Sequence, residues 1–203
     1  MNLHNQLQKT VEQLHNIEIS KDRFEILSVL INYIQSKVAE GREVHLNFIC
    51  THNSRRSQFS QIWAQTAATY YNIAANCYSG GVEVTAFNER AVEAMRRAGF
   101  EIKTEHATNP VYRLSFSKEA NPIVAFSKLY DDPTSPTKEF SSIMTCSHAD
   151  ENCPFIPGTE QRIPLRYDDP KEFDDTPLET SKYDERSMQI ANEMFYVFSQ
   201  IKK

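Results

Sequence analysis

Apolar residues recur every three or four positions through the first forty residues of the chain. That spacing places them on one face of a helix, and it predicts two helices that together make up residues 1–43. Ser20 stands where the second helix should begin, and Gly41 where it should end. The two apolar faces are expected to pack either on the rest of the chain or on a second copy of it, and the second arrangement would be a homodimer.

From residue 44 onward, short apolar runs typical of strands alternate with helical patterns. Strands are predicted over residues 44–50, 73–79, 112–117, 123–130, 141–146 and 163–167, and helices over residues 57–71, 88–98 and 181–201. The strands at 112–117 and 123–130 flank a turn and should form a hairpin. The other strands alternate with helices, and this order predicts an α/β protein whose parallel sheet carries helices on both faces.

The composition is that of an ordinary globular protein and argues against two classes of function. Of 203 residues, 40% are hydrophobic and 24% are charged, and the formal net charge is −5. An acidic chain does not suit nucleic-acid binding, which requires a basic surface. No apolar run approaches the roughly 18–20 residues that cross a membrane, and the polar first residues lack the apolar core of a signal peptide. The chain is therefore expected to be cytoplasmic and not to bind membranes.

The chain contains four cysteines, Cys50, Cys77, Cys146 and Cys153. Thiols are normally reduced in the cytoplasm, so these residues are expected to be reactive or buried groups rather than a disulfide framework. Cys77 falls within the predicted strand 73–79, which indicates a buried residue without a chemical role.

Cys50 stands at the end of a predicted strand, followed by Arg56 and Ser57 at the start of a predicted helix. A strand that turns into a helix directs successive backbone N–H groups at one point, where they and the helix N-terminus attract an anion. The same field favours the thiolate of Cys50, the nucleophilic form. Arg56 can bind two oxyanion oxygens at once, and Ser57 can donate a hydrogen bond to the sulfur. The residues expected to form the oxyanion site are Thr51, His52, Asn53, Ser54, Arg55 and Arg56.

The alternative interpretation is a buried cysteine beside two solvated arginines. At average residue usage, Arg at +6 and Ser at +7 from one of four cysteines arises by chance in about 1% of cases. The position of the motif between a strand and a helix weakens that alternative further. We therefore expect Cys50 to be a nucleophile.

The segment from Phe48 to Gln58 resembles the active-site loop Cys-x5-Arg-Ser of low-molecular-weight protein tyrosine phosphatases. It is still more similar to the loop of the thioredoxin-coupled arsenate reductases, which share that fold. The matching residues are Cys50, Thr51, Asn53, Ser54, Arg56, Ser57 and Gln58. The resemblance implies a three-layer α/β/α fold with a four-stranded parallel sheet, the phosphotyrosine phosphatase I-like fold, over residues 44–203. Residues 1–43 would then be an N-terminal helical extension, and residues 110–140 an insertion that contains the hairpin.

Two residues of the loop depart from the reductase pattern. His52 replaces a glycine and is expected to adopt an unusual backbone angle. Arg55 replaces a cysteine and adds positive charge, which should favour a doubly charged oxyanion. Some family members also bind potassium through Asn, Glu and Ser. Asn53 and Ser79 match two of these ligands, but Gln61 replaces the Glu, so no metal is expected.

Cys146 and Cys153 lie seven positions apart in a polar segment that is expected to be a loop. Cys146 ends a predicted strand, so it should lie at the same edge of the sheet as Cys50. Spacing alone leaves two other interpretations open, ordinary reduced thiols or a zinc site with His148, although the zinc site lacks a second ligand pair. The segment resembles the Cys-x-x-Ala-Asp-x-x-Cys-Pro motif of the arsenate reductases. The resemblance implies a disulfide relay from Cys50 to Cys146 to Cys153, with reduced thioredoxin as the electron donor and no bound cofactor.

Displacing an oxygen from the substrate requires a proton donor near the nucleophile. The tripeptide Asp-Asp-Pro occurs twice, at residues 131–133 and 168–170. The second copy follows a predicted core strand and matches the acid loop of the family, in which the Asp before Pro is the acid. Asp169 is therefore the expected acid, and the copy at 131–133 is expected to be a surface loop within the insertion.

The resemblance therefore implies an arsenate reductase, with Cys50, Arg56, Ser57, Asp169, Cys146 and Cys153 as its catalytic residues. One alternative is a phosphatase of the same fold, which would hydrolyse phosphomonoesters through a phosphocysteine at Cys50. A second alternative is a non-catalytic oxyanion or redox sensor. The expected partners are arsenate or phosphate and, for a reductase, thioredoxin. The sequence does not predict what residues 1–43 or 110–140 do.

Overall fold

The computed structural model describes residues 1–105, 107–152 and 155–203. Its helices are α1 (Asn5–Gln13), α2 (Lys21–Ala39), α3 (Arg56–Tyr70), α4 (Glu89–Ala98), α5 (Ser147–Asn152) and α6 (Glu179–Ser199). Its strands are β1 (Val44–Cys50), β2 (Ala75–Gly81), β3 (Glu101–Thr104), β4 (Tyr112–Ser115), β5 (Ile123–Ala125), β6 (Phe140–Met144) and β7 (Thr159–Ile163). Short 3-10 turns cover Leu14–Asn16 and Pro170–Phe173.

The main sheet is parallel throughout, with its strands in the order β2-β1-β6-β7. Phe48 and Ile49, which follow each other in β1, are fully buried and point to opposite faces of the sheet. Phe48 belongs to a large apolar core with Trp63 of α3 and Phe198 of α6, whereas Ile49 belongs to a smaller core with Ala149 of α5. Helices thus cover both faces, and the prediction of a four-stranded parallel sheet between helices is confirmed.

The fourth strand of the sheet lies earlier in the chain than predicted. It is β7, Thr159–Ile163, instead of residues 163–167. Ile163, Leu165 and Tyr167 alternate along the chain and are all buried, which is the pattern that suggested a strand. Beyond Ile163, however, the chain leaves the ladder, and the N–H of Tyr167 donates to the carbonyl of Thr145 at 3.1 Å.

Two further elements differ from the sequence-based prediction. Residues 147–152, expected to be a loop, form the short helix α5. Strand β3 was not predicted, because Ile102 is its one apolar residue and is only partly buried. A strand without an alternating pattern gives no signal in the sequence.

The N-terminal helices pack on the rest of the chain. The most buried apolar side chains of α1 and α2 are at most 5% exposed, and they are Leu7, Val11, Leu27, Leu30 and Ile34. These side chains join the large core that also contains the sheet. Of the two arrangements that the sequence left open, packing on the chain itself is therefore observed, and the homodimer stays a prediction.

The predicted hairpin is present as β4 and β5, with β3 paired on the other side of β4. Its second strand ends at Ala125 instead of residue 130, and the chain then turns toward the end of β2. There Gly81 donates its N–H to the carbonyl of Lys128 at 2.8 Å and accepts the N–H of Tyr130 at 3.0 Å. Gly80 permits this approach, because a Cβ atom there would lie 2.3 Å from the Cα atom of Tyr130. The insertion consequently reaches the C-terminal edge of the sheet.

Replacing Gly80 by alanine should push the insertion away from β2. The added methyl group overlaps backbone atoms, which cannot rotate away as a side chain can, so we expect a loss of about 1–3 kcal/mol in the free energy of unfolding. Gly41→Ala is the comparison, because a Cβ atom at Gly41 meets nothing within 4 Å and its cost is only the strain of a positive φ, about 1 kcal/mol. Urea denaturation measures both. A Gly80→Ala protein no less stable than Gly41→Ala would show that the close approach is not required.

Candidate active site

A cavity of about 110 Å³ opens at the C-terminal edge of the main sheet, where β1 turns into α3. Its lining consists of Cys50, Thr51, His52, Ser54, Arg55, Arg56, Asp169 and Lys171. Residues 51–55, here called the nucleophile loop, supply half of this lining, and the chain around Asp169 supplies the far side. Parallel strands direct their carboxyl ends to one edge, so the fold itself brings these two distant segments together.

Cys50 is almost completely buried, at 4% exposed. Its sulfur lies 3.0 Å from the hydroxyl oxygen of Ser57, and that oxygen accepts a hydrogen bond from the side-chain amide of Asn53 at 2.9 Å. Because the Ser57 oxygen already accepts a hydrogen bond from Asn53, its own hydrogen is available to donate to the sulfur. This chain of hydrogen bonds suits a thiolate, which accepts hydrogen bonds and cannot donate them.

The unusual backbone angle of the nucleophile loop belongs to Asn53, with φ of 46°, and not to His52 as expected from the sequence. Asparagine tolerates this left-handed conformation better than most residues. The side chain of Asn53 is fully buried behind the loop, where its oxygen accepts the N–H of Lys128 at 3.0 Å. Ser54 also turns its hydroxyl away from the cavity and donates to the carbonyl of Ala86 at 2.7 Å. For these two residues, contact with an oxyanion can therefore come only from the backbone.

Arg56 joins the nucleophile loop to the segment that carries Asp169. One terminal nitrogen of its guanidinium donates to Asp169 at 2.7 Å, and the other donates to the carbonyl of Tyr167 at 3.1 Å. The neighbouring Asp168 points to solvent, with a side chain 88% exposed, and pairs with Arg186. The expected acid therefore faces the cavity, whereas Asp132 of the other Asp-Asp-Pro copy accepts hydrogen bonds from Thr134 in a surface turn.

Arg55, the residue that replaces a cysteine, is held at the mouth of the cavity. Its Nε donates to the hydroxyl of Tyr183 at 2.9 Å, and Tyr183 in turn donates to Asp174 at 2.8 Å. Burial, together with the hydrogen bond to Asp174, raises the pKa of Tyr183 to about 12, so this hydroxyl keeps its proton at neutral pH. Tyr183 and Asp174 thereby orient a second guanidinium beside the site.

Cys146 lies just before α5 and is 2% exposed. In the register of the parallel sheet, Ile49 of β1 lies opposite Met144 of β6. The ends of these two strands therefore place Cys50 and Cys146 at the same edge of the sheet. The hydroxyl of Thr51 lies 3.5 Å from the Cys146 sulfur and 3.2 Å from Nδ1 of His148. Thr51 therefore touches the second thiol as well as lining the oxyanion cavity.

The chain is similar in sequence to known arsenate reductases. The arsenate reductase of Staphylococcus aureus strain Newman is 32% identical over 124 residues, which are 61% of this chain and 76% of the relative. That of Brevibacillus brevis is 32% identical over 123 residues, 61% of this chain and 74% of the relative. The chain belongs to the arsenate reductase family. It is accordingly an enzyme of the arsenate reductase and low-molecular-weight phosphatase type.

Solved structures of low-molecular-weight protein tyrosine phosphatases share the fold of this chain. The T. tengcongensis phosphatase superposes with a TM-score of 0.53 at 12% identity, covering 78% of this chain and 99% of the other. The Vibrio cholerae O395 phosphatase gives 0.51 at 11% identity, covering 77% and 94%. No family model matches the chain. None of the described helices is long and apolar enough to cross a membrane.

The insertion supports the nucleophile loop of the enzyme from behind. Ser127 donates its hydroxyl to the carbonyl of His52 at 2.9 Å and accepts the N–H of Thr85 at 2.9 Å. Gln58 donates to the carbonyls of both Asn53 and Phe126, each at 2.9 Å. The two contacts of Ser127 join residues 42 and 75 positions apart in sequence, so sequence reasoning missed Ser127. Lys171 was also missed, although its position directly after Asp-Asp-Pro could have indicated it.

Of the three potassium ligands that the resemblance implies, Asn53 and Ser79 are present and Gln61 replaces the third. Gln61, which stands in place of the Glu, accepts the hydroxyl of Ser79 at 2.6 Å and donates its amide to the carbonyl of Val124 at 3.3 Å. The oxygen of Asn53 is already used by Lys128. A neutral amide, whose oxygen already accepts from Ser79, therefore stands in place of the negatively charged carboxylate of that ligand set.

Two cysteines remain, Cys77 and Cys153, and only Cys77 lies in the described part of the chain. Cys77 is 6% exposed within β2, and burial raises the pKa of its thiol, so it is a poor nucleophile. Cys153 lies outside the described residues. No cluster of three or more metal-binding side chains occurs in residues 1–105, 107–152 and 155–203. The zinc site considered from the sequence requires Cys153, so it involves a residue outside these ranges.

Removing the Ser127 hydroxyl should loosen the nucleophile loop. Each lost hydrogen bond is worth about 1 kcal/mol, so in Ser127→Ala the arsenate concentration that half-protects Cys50 from iodoacetamide should rise three- to tenfold. Mass spectrometry of the Cys50 peptide measures this.

Ser135→Ala is the matched control for this experiment. Ser135 belongs to the same insertion, and its buried hydroxyl has no hydrogen-bond partner within the described part of the chain. Its removal should change the protection less than twofold. Equal values for the two variants would mean that Ser127 does not support the loop.

Proposed function

We propose that this enzyme reduces arsenate to arsenite, with Cys50 as the nucleophile and with Cys146 and Cys153 as the thiols that carry the electrons away. The observation that carries the proposal is the meeting of two buried thiols at one edge of the sheet, linked through Thr51 at 3.5 Å from the Cys146 sulfur. Neighbouring strands lie about 4.8 Å apart, so the strand ends that lead to the two thiols are adjacent. A phosphatase requires only the first thiol.

The size and charge of the cavity favour a small inorganic oxyanion as substrate. The cavity measures about 110 Å³, and among the described residues no Phe, Tyr or Trp side chain lines it. The cationic groups at its wall and mouth are Arg55, Arg56 and Lys171. A phosphotyrosine would need an apolar surface for its ring, whereas a dianion such as arsenate is stabilised by the guanidinium groups and the backbone N–H groups alone.

In the first step, the Cys50 thiolate attacks arsenic and an oxygen leaves as water. Ser57 stabilises the thiolate before attack, and Asp169 supplies the proton that the leaving oxygen takes. An incoming dianion competes with Asp169 for Arg56.

In the second step, the Cys146 thiolate attacks the sulfur of Cys50. The sulfur–arsenic bond breaks, its electron pair leaves with arsenic as arsenite, and a Cys50–Cys146 disulfide forms. Cys153 then attacks Cys146, which releases the Cys50 thiolate and leaves a Cys146–Cys153 disulfide. Two thiols are oxidised for each arsenate reduced, and the dithiol of reduced thioredoxin restores them.

Phosphomonoester hydrolysis is the second candidate activity, and the geometry of Arg56 and Asp169 favours it as a side reaction. Both groups face the cavity of Cys50, and together the three residues suffice to form and hydrolyse a phosphocysteine. This reaction does not involve Cys146.

Replacing Cys146 by serine separates the two activities. Arsenate reduction coupled to thioredoxin and NADPH oxidation should fall at least a thousandfold, because no thiol remains to attack the Cys50 adduct. Hydrolysis of para-nitrophenyl phosphate should stay within threefold of the wild type. Cys77→Ala is the control, and it should retain both activities. Arsenate reduction that persists in Cys146→Ser would exclude the relay.

A further inference from the structure

Arg23, on α2 of the N-terminal extension, forms a buried ion pair with Glu193 of α6. Its Nε and one terminal nitrogen donate to the two carboxylate oxygens of Glu193 at 2.8 and 2.6 Å, a bidentate arrangement. The side chain of Glu193 is 3% exposed. Charge-assisted pairs of this geometry fix the orientation of both partners as well as their separation.

Arg23 and Glu193 also hold the segment that leads to Asp169. The second terminal nitrogen of Arg23 donates to the carbonyl of Arg166 at 2.9 Å, and its guanidinium carbon lies 4.7 Å from the centre of the Tyr167 ring. The hydroxyl of Tyr167 donates to Glu193 at 2.7 Å. Burial and the neighbouring carboxylate raise the pKa of Tyr167 well above its ordinary value, so this hydroxyl remains a donor.

The backbone of Tyr167 connects this cluster to both reactive regions. Its carbonyl accepts a hydrogen bond from Arg56 at 3.1 Å, and its N–H donates to the carbonyl of Thr145, the residue before Cys146. Asp169 follows two residues later and accepts the other terminal nitrogen of Arg56. Since residues 164–169 lie beyond β7, no strand ladder fixes their position.

We propose that Arg23 is a positioning residue for the active site, and that the N-terminal extension serves to hold the segment 166–169 in register with Arg56. Arg23 contacts Tyr167, and Tyr167 accepts a hydrogen bond from Arg56 through its carbonyl; all three residues are buried or partly buried. Helix α2 is then part of the machinery that orients the oxyanion-binding guanidinium. The proposal rests on the proposed function in one respect, the action of Arg56 and Asp169 on an oxyanion bound at Cys50.

A second ion pair of α2 provides a matched control. Lys37 is 4% exposed, and its ammonium group lies 2.5 Å from Glu160 of β7, with which it forms an ion pair. Tyr33 and Arg42 donate hydrogen bonds to Glu160. This cluster anchors the same helix, but none of its residues lines the cavity. Loss of Lys37 should therefore weaken the attachment of α2 without changing the position of Arg56.

The test compares Arg23→Met with Lys37→Met at a temperature well below the melting point of either variant. Iodoacetamide labelling of Cys50 at graded arsenate concentrations gives the half-protecting concentration, and para-nitrophenyl phosphate gives kcat and KM separately. In Arg23→Met, we expect the half-protecting concentration and KM to rise at least fivefold, with a fall in kcat. In Lys37→Met, all three should stay within twofold of the wild type, whatever the loss of melting temperature.

Tyr167→Phe is a second, milder variant, which keeps the ring and removes the hydroxyl that binds Glu193. Its half-protecting concentration should rise about threefold, and this variant carries the test if Arg23→Met does not fold. Protection in both variants equal to that in Lys37→Met would overturn the positioning role alone. Wild-type Cys50 that gains no protection from arsenate or phosphate would overturn the proposed function as well, so the two failures are distinguishable.

Discussion

The nucleophile loop depends on the hydrogen-bond chain from Asn53 through Ser57 to the sulfur of Cys50. A thiol at 4% exposure would ordinarily be inert, since burial in apolar surroundings disfavours the thiolate. Here the sulfur lies beside the hydroxyl of Ser57 and at a cavity whose lining includes the side chains of Arg55 and Arg56. Asn53 combines a left-handed backbone with a side-chain amide that donates to Ser57.

Two parts of the chain that looked like additions to the fold contact this site from opposite sides. The insertion contacts the nucleophile loop through Ser127 and Lys128, and it approaches β2 over Gly80 and Gly81. The N-terminal extension contacts the acid segment through Arg23. Ser127 and Arg23 donate to backbone carbonyls, whereas the N–H of Lys128 donates to the side-chain oxygen of Asn53 and so fixes that side chain. The site is thus fixed by elements outside the part of the chain that carries its chemistry.

The sequence predicted the parts of the site whose partners are close along the chain. Cys50, Arg56 and Ser57 belong to one strand, loop and helix, and their spacing alone determines how they meet. Asp169 could be chosen because it follows an apolar stretch, although that stretch is only partly a strand. Ser127, Tyr183 and Arg23 could not be found, because their partners are 75, 128 and 170 residues away. Strand β3 escaped because its residues show no alternation, and α5 because its six polar and small residues are typical of a loop.

The central claim is that a thiolate at Cys50 attacks arsenate and that the two oxidising equivalents end on the thiols at 146 and 153. A single turnover of the fully reduced enzyme with excess arsenate, without thioredoxin, tests it most directly. Peptide mapping after acid quench should find one Cys146–Cys153 disulfide and one arsenite for each chain, with the thiols of Cys50 and Cys77 free. Three unoxidised thiols at positions 50, 146 and 153 and no arsenite would contradict the account.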